Sequence, residues 1–272
     1  MINDPSLKKV ALITGAGSGI GRALAIQMSR KGYRLAICAR TKEAVLETKH
    51  LCAIPDEVLP LQADVTRRKD CEAFVTQAFN AFGRIDVLVN NAGISMRALF
   101  AHASLEVLEK VMNTNFWGTV YCTHYALPHI LKTGGSVVGI SSIAGFKGLP
   151  ARTGYSASKF AMDGFLEALR IENLYTGLHV LIVHPGFTAS NIRNTALAAD
   201  GTPQGESPRN ESSMMSAEEC ARHILKAIEK RKIILTLTTE GQLLRWVNFL
   251  WPKMADKLVY ATLKKEKDSP LP

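Results

Sequence analysis

The chain has 272 residues, of which 47% are hydrophobic and 21% are charged, and its formal net charge is +9. This length and composition fit one large α/β domain with a sizeable core and argue against a disordered chain. The positive charge would suit an anionic ligand, an acidic partner or a membrane surface, but no nucleic-acid-binding motif accompanies the basic clusters. We therefore expect no nucleic-acid partner.

The amino-terminal sequence contains neither a long apolar run nor a small-residue cleavage site. Because no uninterrupted apolar stretch reaches the length of about 18 residues that spans a bilayer, we expect a cytoplasmic protein without a transmembrane span. The five cysteines form an odd number without C-x-x-C spacing, which indicates neither a disulfide framework nor a zinc site. No metal is predicted.

Seven short β-rich runs alternate with helical patterns along the chain. Parallel neighbouring strands require crossover connections, usually helices that cover both faces of the sheet. The pattern therefore predicts an α/β fold with a doubly wound, parallel, seven-stranded sheet. The runs are, in chain order, KVALITG, RLAICAR, EVLPLQADV, IDVLVNNAG, GSVVGISS, HVLIVHPG and KIILTL.

A glycine-rich loop, TGAGSGIG, follows the first predicted strand and precedes a helical pattern. Glycine lets the backbone turn sharply and approach a pyrophosphate closely, and the helix N-terminus offers free N–H groups and a positive dipole end. The order of strand, loop and helix favours a dinucleotide site over an ordinary turn. The residues predicted to bind the cofactor here are Gly15, Ser18, Gly19, Ile20 and Gly21.

The second strand ends in Ala39 followed by Arg40, where an NAD-selective site would carry an acidic residue. A guanidinium can grip a 2′-phosphate bidentately, so we prefer NADP(H) as cofactor and keep NAD(H) as the alternative. The third strand ends at Asp64 and Val65, which we predict to contact the adenine. The competing interpretation of Asp64 is a carboxylate that orders a turn.

Two segments lie outside the strand–helix alternation. Residues 189–216 are polar and rich in turn formers, and we predict a substrate lid there because the segment is too long for an idle connection. Residues 241–272 contain two amphipathic helical patterns separated by Pro252. We therefore divide the chain into a dinucleotide-binding and catalytic domain, 1–240, and a helical extension with a basic tail, 241–272.

Three roles stay open for the extension. It could pack on its own domain or a sister subunit, cover the substrate cleft, or make a peripheral contact with an anionic membrane through its aromatic residues and lysines. A membrane contact would place the otherwise cytoplasmic protein at a membrane surface.

The segments TGAGSGIG, NNAG, NFWG, ISS, YSASK and HPGFT stand in the order and spacing of the short-chain dehydrogenase/reductase family. The resemblance spans roughly residues 7 to 236. It implies a Rossmann-like fold with strand order 3-2-1-4-5-6-7, and we expect a homodimer or homotetramer. The catalytic tetrad that it implies is Asn115, Ser142, Tyr155 and Lys159. Its further cofactor contacts are Asn90, Ala92, Gly93, Tyr155, Lys159, Pro185, Gly186 and Thr188.

The chemistry of these residue types agrees with the roles that the resemblance implies. Tyr155 and Lys159 stand four residues apart, so on a helix both can point into one cleft. A nearby ammonium favours a phenolate, and we expect it to lower the pKa of Tyr155 toward the working range. Ser142 would donate a hydrogen bond to the substrate oxygen, and Asn115 would hold a water that links Lys159 to solvent.

The chain has a second Tyr–Lys pair at the same spacing, Tyr260 and Lys264. It lies in the extension, without a glycine loop or a serine-bearing strand end before it. We interpret it as an accident of spacing.

These features predict an NADP(H)-dependent oxidoreductase that interconverts a ketone and a secondary alcohol, with Tyr155 as general acid and base. The mixture of apolar and basic residues in the predicted lid favours a hydrophobic, lipid-like or steroid-like substrate. Two alternatives stay open. One is a catalytically silent relative that only senses dinucleotides, and the other is a 3-oxoacyl-thioester reductase.

Overall fold

The structure is a computed structural model that describes residues 8–188, 192–207 and 214–272. Strands and helices alternate along these ranges as the sequence predicts. The strands are β1 (Val10–Thr14), β2 (Arg34–Ala39), β3 (Val58–Gln62), β4 (Val87–Asn90), β5 (Ser136–Ile140), β6 (His179–His184) and β7 (Ile234–Thr236). The helices are α1 (Gly19–Arg30), α2 (Lys42–Leu51), α3 (Arg68–Phe82), α4 (Leu105–Met112), α5 (Gly118–Thr133), α6 (Thr153–Glu172), α7 (Ala217–Glu229), α8 (Thr239–Leu250) and α9 (Pro252–Lys264).

The seven strands form one parallel sheet in the order β3-β2-β1-β4-β5-β6-β7, which confirms the predicted fold class and strand order. The chain runs outward from β1 to β3, returns to the centre at β4, and then runs outward in the other direction. Ala11 of β1 pairs with Leu35 of β2 on one side and with Val87 of β4 on the other. Ligands of open α/β sheets bind where the strand order reverses, at the carboxyl ends of the strands.

The apolar strands are buried on both faces because helices cover each side of the sheet. On one face α1 and α7 pack through residues such as Leu24, Met28 and Ile224. On the other face α3, α5 and α6 contribute Phe74 and Met162, among others. A rigid sheet therefore fixes the positions of the loops that follow its carboxyl ends.

Helices α8 and α9 form the predicted extension, and they pack on the loop between β5 and α6. The Asn248 side chain donates to the Phe146 carbonyl at 3.1 Å. Farther on, the carboxylate of Glu266 accepts from Arg152 at 2.9 Å and lies 3.6 Å from Arg97 Nε. In the described part of the chain, no helix is both long and apolar enough to cross a membrane.

Candidate functional site

A cleft of about 510 Å³ lies at the carboxyl ends of the central strands, where the order of the sheet reverses. Its walls come from the loops after β1, β2, β3, β4, β5 and β6, so residues far apart in sequence meet there. The predicted site residues that line it are Gly15, Ser18, Gly19, Ile20, Arg40, Asp64, Val65, Ala92, Gly93, Ser142, Tyr155, Lys159, Pro185, Gly186 and Thr188.

The glycine-rich loop forms one end of the cleft. Gly15 has φ +64°, and a Cβ there would lie 2.8 Å from Ala92 Cα, so the loops after β1 and β4 touch only because residue 15 has no side chain. Ser18 is the N-cap of α1, and the next N–H groups have no acceptor within the helix. They give the cleft a site for an anionic group at a helix N-terminus.

Gly21 has a packing role and does not line the cleft. A Cβ at this position would lie 2.4 Å from the Gly15 carbonyl oxygen and 2.4 Å from Asn91 Nδ2. Asn91 in turn donates to the carbonyl oxygens of Thr14 and Gly15. Gly21 thus lets α1 close on the loop, and its contribution to cofactor binding is indirect.

Arg22 and Thr48 also support the glycine loop, and the sequence analysis did not select them. The Arg22 guanidinium donates to the Gly17 carbonyl and forms a two-pronged ion pair with Glu47, with N–O distances of 3.0 and 2.7 Å. The Thr48 hydroxyl donates to the Ala16 carbonyl at 2.9 Å. Glu47 and Thr48 belong to α2, so these supporting contacts join residues that are distant in sequence. Local sequence patterns do not reveal such contacts.

At the end of the cleft that the glycine-rich loop forms, Arg40 follows β2 and is exposed to solvent. Its backbone carbonyl accepts from Gln62 at 2.9 Å, while the guanidinium is bonded by none of the residues that the structure describes. Asp64 Oδ1 accepts from both the N–H and the hydroxyl of Thr66 at 2.9 Å. Asp64 therefore orders a turn, as the competing interpretation held, although it also lines the cleft.

The side chain of Asn90 is directed away from the cleft. It is buried, and Nδ2 donates to the Thr123 hydroxyl at 3.0 Å. The residue is the last of β4, and successive strand residues point to opposite faces, so the Asn90 side chain faces the helical layer. The Asn90 side chain therefore does not line the cleft, and a contact of the residue with the adenosine ribose stays a prediction for its backbone.

The other end of the cleft holds Ser142, Tyr155 and Lys159. Ser142 follows β5, and its hydroxyl accepts from the Ala144 N–H at 3.1 Å. Tyr155 and Lys159 lie one turn apart on α6, and Lys159 Nζ is 5.8 Å from the centre of the Tyr155 ring. Both residues are buried, and the Ser142 side chain lies near the Tyr155 phenol and acts to lower its pKa. The sheet edge and the helix thus bring three hydrogen-bonding groups of different chemistry together.

The pKa of Tyr155 is raised, which corrects the expectation from sequence. Burial of the phenol raises it, and this cause outweighs the Ser142 side chain and the positive charges of Arg152 and Arg193, which lower it. The i, i+4 spacing predicted the proximity of the two side chains, but it carried no information on the desolvation of the phenol.

Lys159 is buried, and its Nζ donates to the Ile140 carbonyl at 2.8 Å. Burial lowers the pKa of Lys159 to about 8, and the negative charge of Asp163 opposes this shift. Near neutral pH the side chain is therefore mainly an ammonium that can donate further hydrogen bonds into the cleft. A Cβ on Gly93 would lie 3.6 Å from Nζ, so glycine at 93 leaves the approach to Lys159 open.

Asn115 lies in a π-helical turn, Asn113–Trp117, and is fully buried. Its amide oxygen accepts from the Ile94 N–H at 2.8 Å, while Nδ2 donates to the Ile94 carbonyl and the Ser158 hydroxyl, each at 2.9 Å. The side chain ties the loop after β4 to α6 and has no spare donor for a water. The amide oxygen accepts one recorded bond and keeps a second lone pair, so the role of Asn115 in holding a water stays a prediction.

The loop after β6 completes the wall of the cleft. A Cβ on Gly186 would lie 2.6 Å from Thr238 Oγ1, so glycine is required where this loop meets the start of α8. The described part of the predicted lid, 192–207, bridges back to the loop after β4 through a β-bridge between Met96 and Leu197. Residues 208–213 of the predicted lid, which include the polar Arg209 and Asn210, lie outside the described residues.

Arg152 and Arg193 line the cleft near Tyr155. Arg193 belongs to the predicted lid, whereas no sequence pattern assigned Arg152 a role at the site. Arg193 donates to the Thr188 carbonyl at 2.9 Å. The helical spacing of Arg152, three residues before Tyr155, could have suggested its proximity. The second Tyr–Lys pair has no such surroundings, since the Tyr260 hydroxyl donates to the Pro272 carbonyl on the surface.

The cleft defines the class of protein: a parallel α/β fold with a glycine-rich anion site at one end and a Ser–Tyr–Lys group at the other. A family model described as short chain dehydrogenase matches residues 9–200. The chain belongs to the short-chain dehydrogenase family, is an oxidoreductase that acts on CH–OH groups, and has the NAD(P)-binding fold of that family.

Curated relatives match over most of their length. The chain is 37% identical over 250 residues to the 11-beta-hydroxysteroid dehydrogenase-like 4A of Arabidopsis thaliana. This match covers 90% of this chain and 82% of the relative. It is 34% identical over 265 residues to the Dehydrogenase/reductase SDR family member 7 of Homo sapiens, which covers 95% of this chain and 78% of the relative.

Solved structures give the same result. An alcohol dehydrogenase from Thermococcus sibiricus, complexed with 5-hydroxy-NADP, superposes with a TM-score of 0.74 at 26% identity and covers 85% of this chain and 96% of the other. A short-chain dehydrogenase/reductase from Burkholderia phymatum in complex with NAD has a TM-score of 0.81 at 23% identity, with 91% and 95% covered, and shows the shared fold.

Proposed function

We propose that the protein is an NADP(H)-dependent oxidoreductase that reduces a hydrophobic ketone to a secondary alcohol, or catalyses the reverse reaction, with Tyr155 as general acid and base. The observation that carries the proposal is the single cleft, which joins an anion-binding helix N-terminus and Arg40 to the Ser142–Tyr155–Lys159 group. Ser142 would donate to the substrate oxygen while Tyr155 exchanges the proton with it.

The glycine-lined loops fit a dinucleotide, because side chains at 15 or 93 would occupy space between the loop after β1, the loop after β4 and Lys159. When bound, the nicotinamide would supply or accept the hydride. Lys159 would donate to its ribose and keep Tyr155 oriented. The raised pKa of Tyr155 supports ketone reduction, since the phenol carries the proton that the substrate oxygen needs.

Arg40 supports the preference for NADP(H). Its guanidinium is exposed at the proposed adenosine end, and no hydrogen bond to another described residue competes with a 2′-phosphate for it. Solved relatives have been captured with a modified NADP and with NAD, so their ligands do not favour one cofactor for this chain.

Titration of the protein with NADPH and NADH tests this preference. Wild type should bind NADPH more tightly, and Arg40→Asp should lose about 1.5–3 kcal/mol of NADPH binding, roughly 10- to 100-fold in Kd, because a charge-assisted hydrogen bond is replaced by repulsion. Arg222→Asp, which changes an exposed arginine on α7, is the matched control for net charge. Equal affinity of wild type for the two cofactors would contradict the assignment.

For the substrate, we propose a ketone on a large apolar body, such as a steroid-like or lipid-like molecule. The apolar residues Ile94, Leu149 and Ile192 line the cleft beside Tyr155, and several relatives carry hydroxysteroid dehydrogenase names. Catalytic efficiency should rise with apolar size across a panel of ketones. A preference for short 3-oxoacyl thioesters over all apolar ketones would favour the thioester-reductase alternative.

The extension supports a further proposal, a peripheral contact with an anionic membrane by an otherwise cytoplasmic protein. Trp246, Phe249 and Trp251 are exposed on α8 and its end, and Lys253 and Lys257 follow in α9. Aromatic residues beside lysines suit the interface of an anionic bilayer. Flotation with vesicles of anionic lipid, against neutral vesicles, should recover wild type and lose Trp246→Ser. If wild type does not float with the anionic vesicles, the proposed membrane contact is refuted.

We propose a homo-oligomer, a dimer or a tetramer, whose contacts include the exposed apolar side chains of the face formed by α5 and α6. Trp117, immediately before α5, is 42% exposed and Phe160 on α6 is 47% exposed, which would be covered in such an assembly. Sedimentation equilibrium measures the assembly directly, and Phe160→Lys should dissociate it. A monomeric wild type would refute this part of the proposal.

A further inference from the structure

Helix α6 carries a third polar residue on the stripe that holds Tyr155 and Lys159. Asp163 stands four residues after Lys159 and eight after Tyr155, so the three side chains project from the same face of α6. The sequence analysis assigned no role to Asp163. Its carboxylate is the group whose negative charge acts on Lys159 in the opposite direction to burial.

The carboxylate of Asp163 is fixed by a histidine from the sheet. Asp163 Oδ2 lies 2.7 Å from His184 Nε2, at the end of β6, and His184 Nδ1 lies 3.4 Å from Thr236 Oγ1 on β7. With hydrogen on Nε2, His184 donates to Asp163 and its Nδ1 can accept from Thr236. The His184 ring is almost completely buried, and Phe146 packs against it edge to face at 5.1 Å.

The surroundings of Asp163 are adapted to an acidic side chain at this position. A Cβ on Gly145 would lie 2.5 Å from Asp163 Oδ2 and 2.5 Å from Ser141 Oγ, so only glycine leaves room for the pair. Asp163 Oδ1 and Ser141 Oγ are both buried, and neither has a hydrogen-bond partner among the described residues. An unsatisfied carboxylate oxygen is costly to bury, which argues that the carboxylate has a role besides joining α6 to β6.

We infer that Asp163, clamped by His184, is a positioning residue that keeps Lys159 in its ammonium form inside the buried end of the cleft. The inference rests on the proposed function, in which the Lys159 ammonium orients Tyr155 and the ribose. Nζ donates to the Ile140 carbonyl, a neutral acceptor, so Asp163 supplies the opposing charge. The uncharged Asn115 and Tyr155 also lie near Lys159. Arg152 and Arg193 act to lower the pKa of Tyr155 and Asp163 acts to raise it, so the Lys159 signal itself has to be followed beside the kcat profile.

The test is the pH profile of Asp163→Asn. The amide keeps an acceptor for His184 but removes the charge, so Lys159 should lose its proton at lower pH. Loss of a neighbouring opposite charge favours the neutral amine, so the alkaline limb of kcat should move to lower pH by about one unit. Glu167→Gln is the matched control, because Glu167 lies one turn farther along α6 and is exposed. This variant should leave the alkaline limb of kcat unchanged.

A second measurement does not depend on turnover. With 13C-labelled lysine, the Cε signal of Lys159, assigned by its loss in Lys159→Met, should titrate at lower pH in Asp163→Asn than in wild type. If Asp163→Asn does not fold, His184→Gln should shift the same signal in the same direction by a smaller amount, because the carboxylate is no longer clamped.

An unchanged midpoint of Lys159 in both variants would overturn the inference and leave Asp163 as a strut between α6 and β6. If wild type reduced no ketone with either cofactor while the Lys159 midpoint still moved, the electrostatic role would stand and the proposed function would fail. The two failures can thus be told apart.

Discussion

Replacement of Glu266 by Gln should destabilise the protein strongly, although the residue lies outside the family core that the sequence motifs span. Its side chain is 2% exposed, and its carboxylate accepts two bonds from Arg152, at 3.2 and 2.9 Å, beside Arg97. Arg152 and Arg97 are also largely buried, with side chains 11% and 8% exposed. The variant would remove the carboxylate that two buried guanidinium groups share, and Arg97 would keep a second acidic neighbour, Asp268.

The magnitude follows from the cost of an uncompensated buried charge. Removing one partner of a buried ion pair costs about 3–5 kcal/mol, and we expect about 3 kcal/mol for Glu266→Gln because glutamine keeps one acceptor oxygen. At about 2–4 °C per kcal/mol, the melting temperature should fall by about 6–12 °C. Urea unfolding followed by tryptophan fluorescence gives the free energy of unfolding directly.

Glu206→Gln provides the control. Glu206 forms an ion pair of 2.9 Å with Lys267, but its side chain is 75% exposed and that of Lys267 is 64% exposed. Solvent screens such a pair, so the control should not measurably change unfolding. If Glu266→Gln unfolds at the same urea concentration as Glu206→Gln, the argument that the extension is fastened by buried charge is refuted.

Three further outcomes are expected. Tyr155→Phe should retain cofactor binding and lose turnover by about 10²-fold or more, and residual activity above a tenth of wild type would exclude Tyr155 as the proton donor. Gly21→Ala should cost about 1–3 kcal/mol of stability and weaken cofactor binding, because its Cβ would lie 2.4 Å from the Gly15 carbonyl; Gly164→Ala, with open space around residue 164, should be tolerated. The pKa of Lys159 is lowered in the folded protein from 10.5 to about 8, so between these values the unfolded chain binds more protons and stability should rise with pH. Chemical denaturation of wild type and Lys159→Met from pH 7 to 10 should show that rise, up to about 3 kcal/mol, in wild type only, and parallel curves would contradict it.

Much of the fold was predictable because its determinants are local. Apolar runs alternating with helical patterns predicted a parallel doubly wound sheet, and the family resemblance implied the strand order that is observed. The glycine loop and the Tyr155–Lys159 spacing were also local patterns. In both cases the sequence places the relevant residues within one loop or one helical turn, so no knowledge of the distant chain was needed.

The features that the sequence did not predict depend on surroundings that sequence distance hides. The pKa of Tyr155 is set first by burial, which results from the packing of several elements. The Asn115 amide bonds Ile94 and Ser158, from a loop and from another helix. Arg152 and Glu266 meet although 114 residues separate them. The side-chain direction of Asn90 could have been predicted from the alternation of β4, but the motif directed attention to the ribose instead.

The order in which the walls of the cleft occur along the chain has a consequence for biosynthesis. The glycine loop and Arg40 are translated first, Tyr155 and Lys159 follow after more than a hundred residues, and Glu266 comes later still. Folding during synthesis generally begins with the amino-terminal part of a chain. A nascent chain can therefore form the adenosine end of the cleft before its reactive end exists, and Arg152 gains its counter-charge only when residue 266 has left the ribosome.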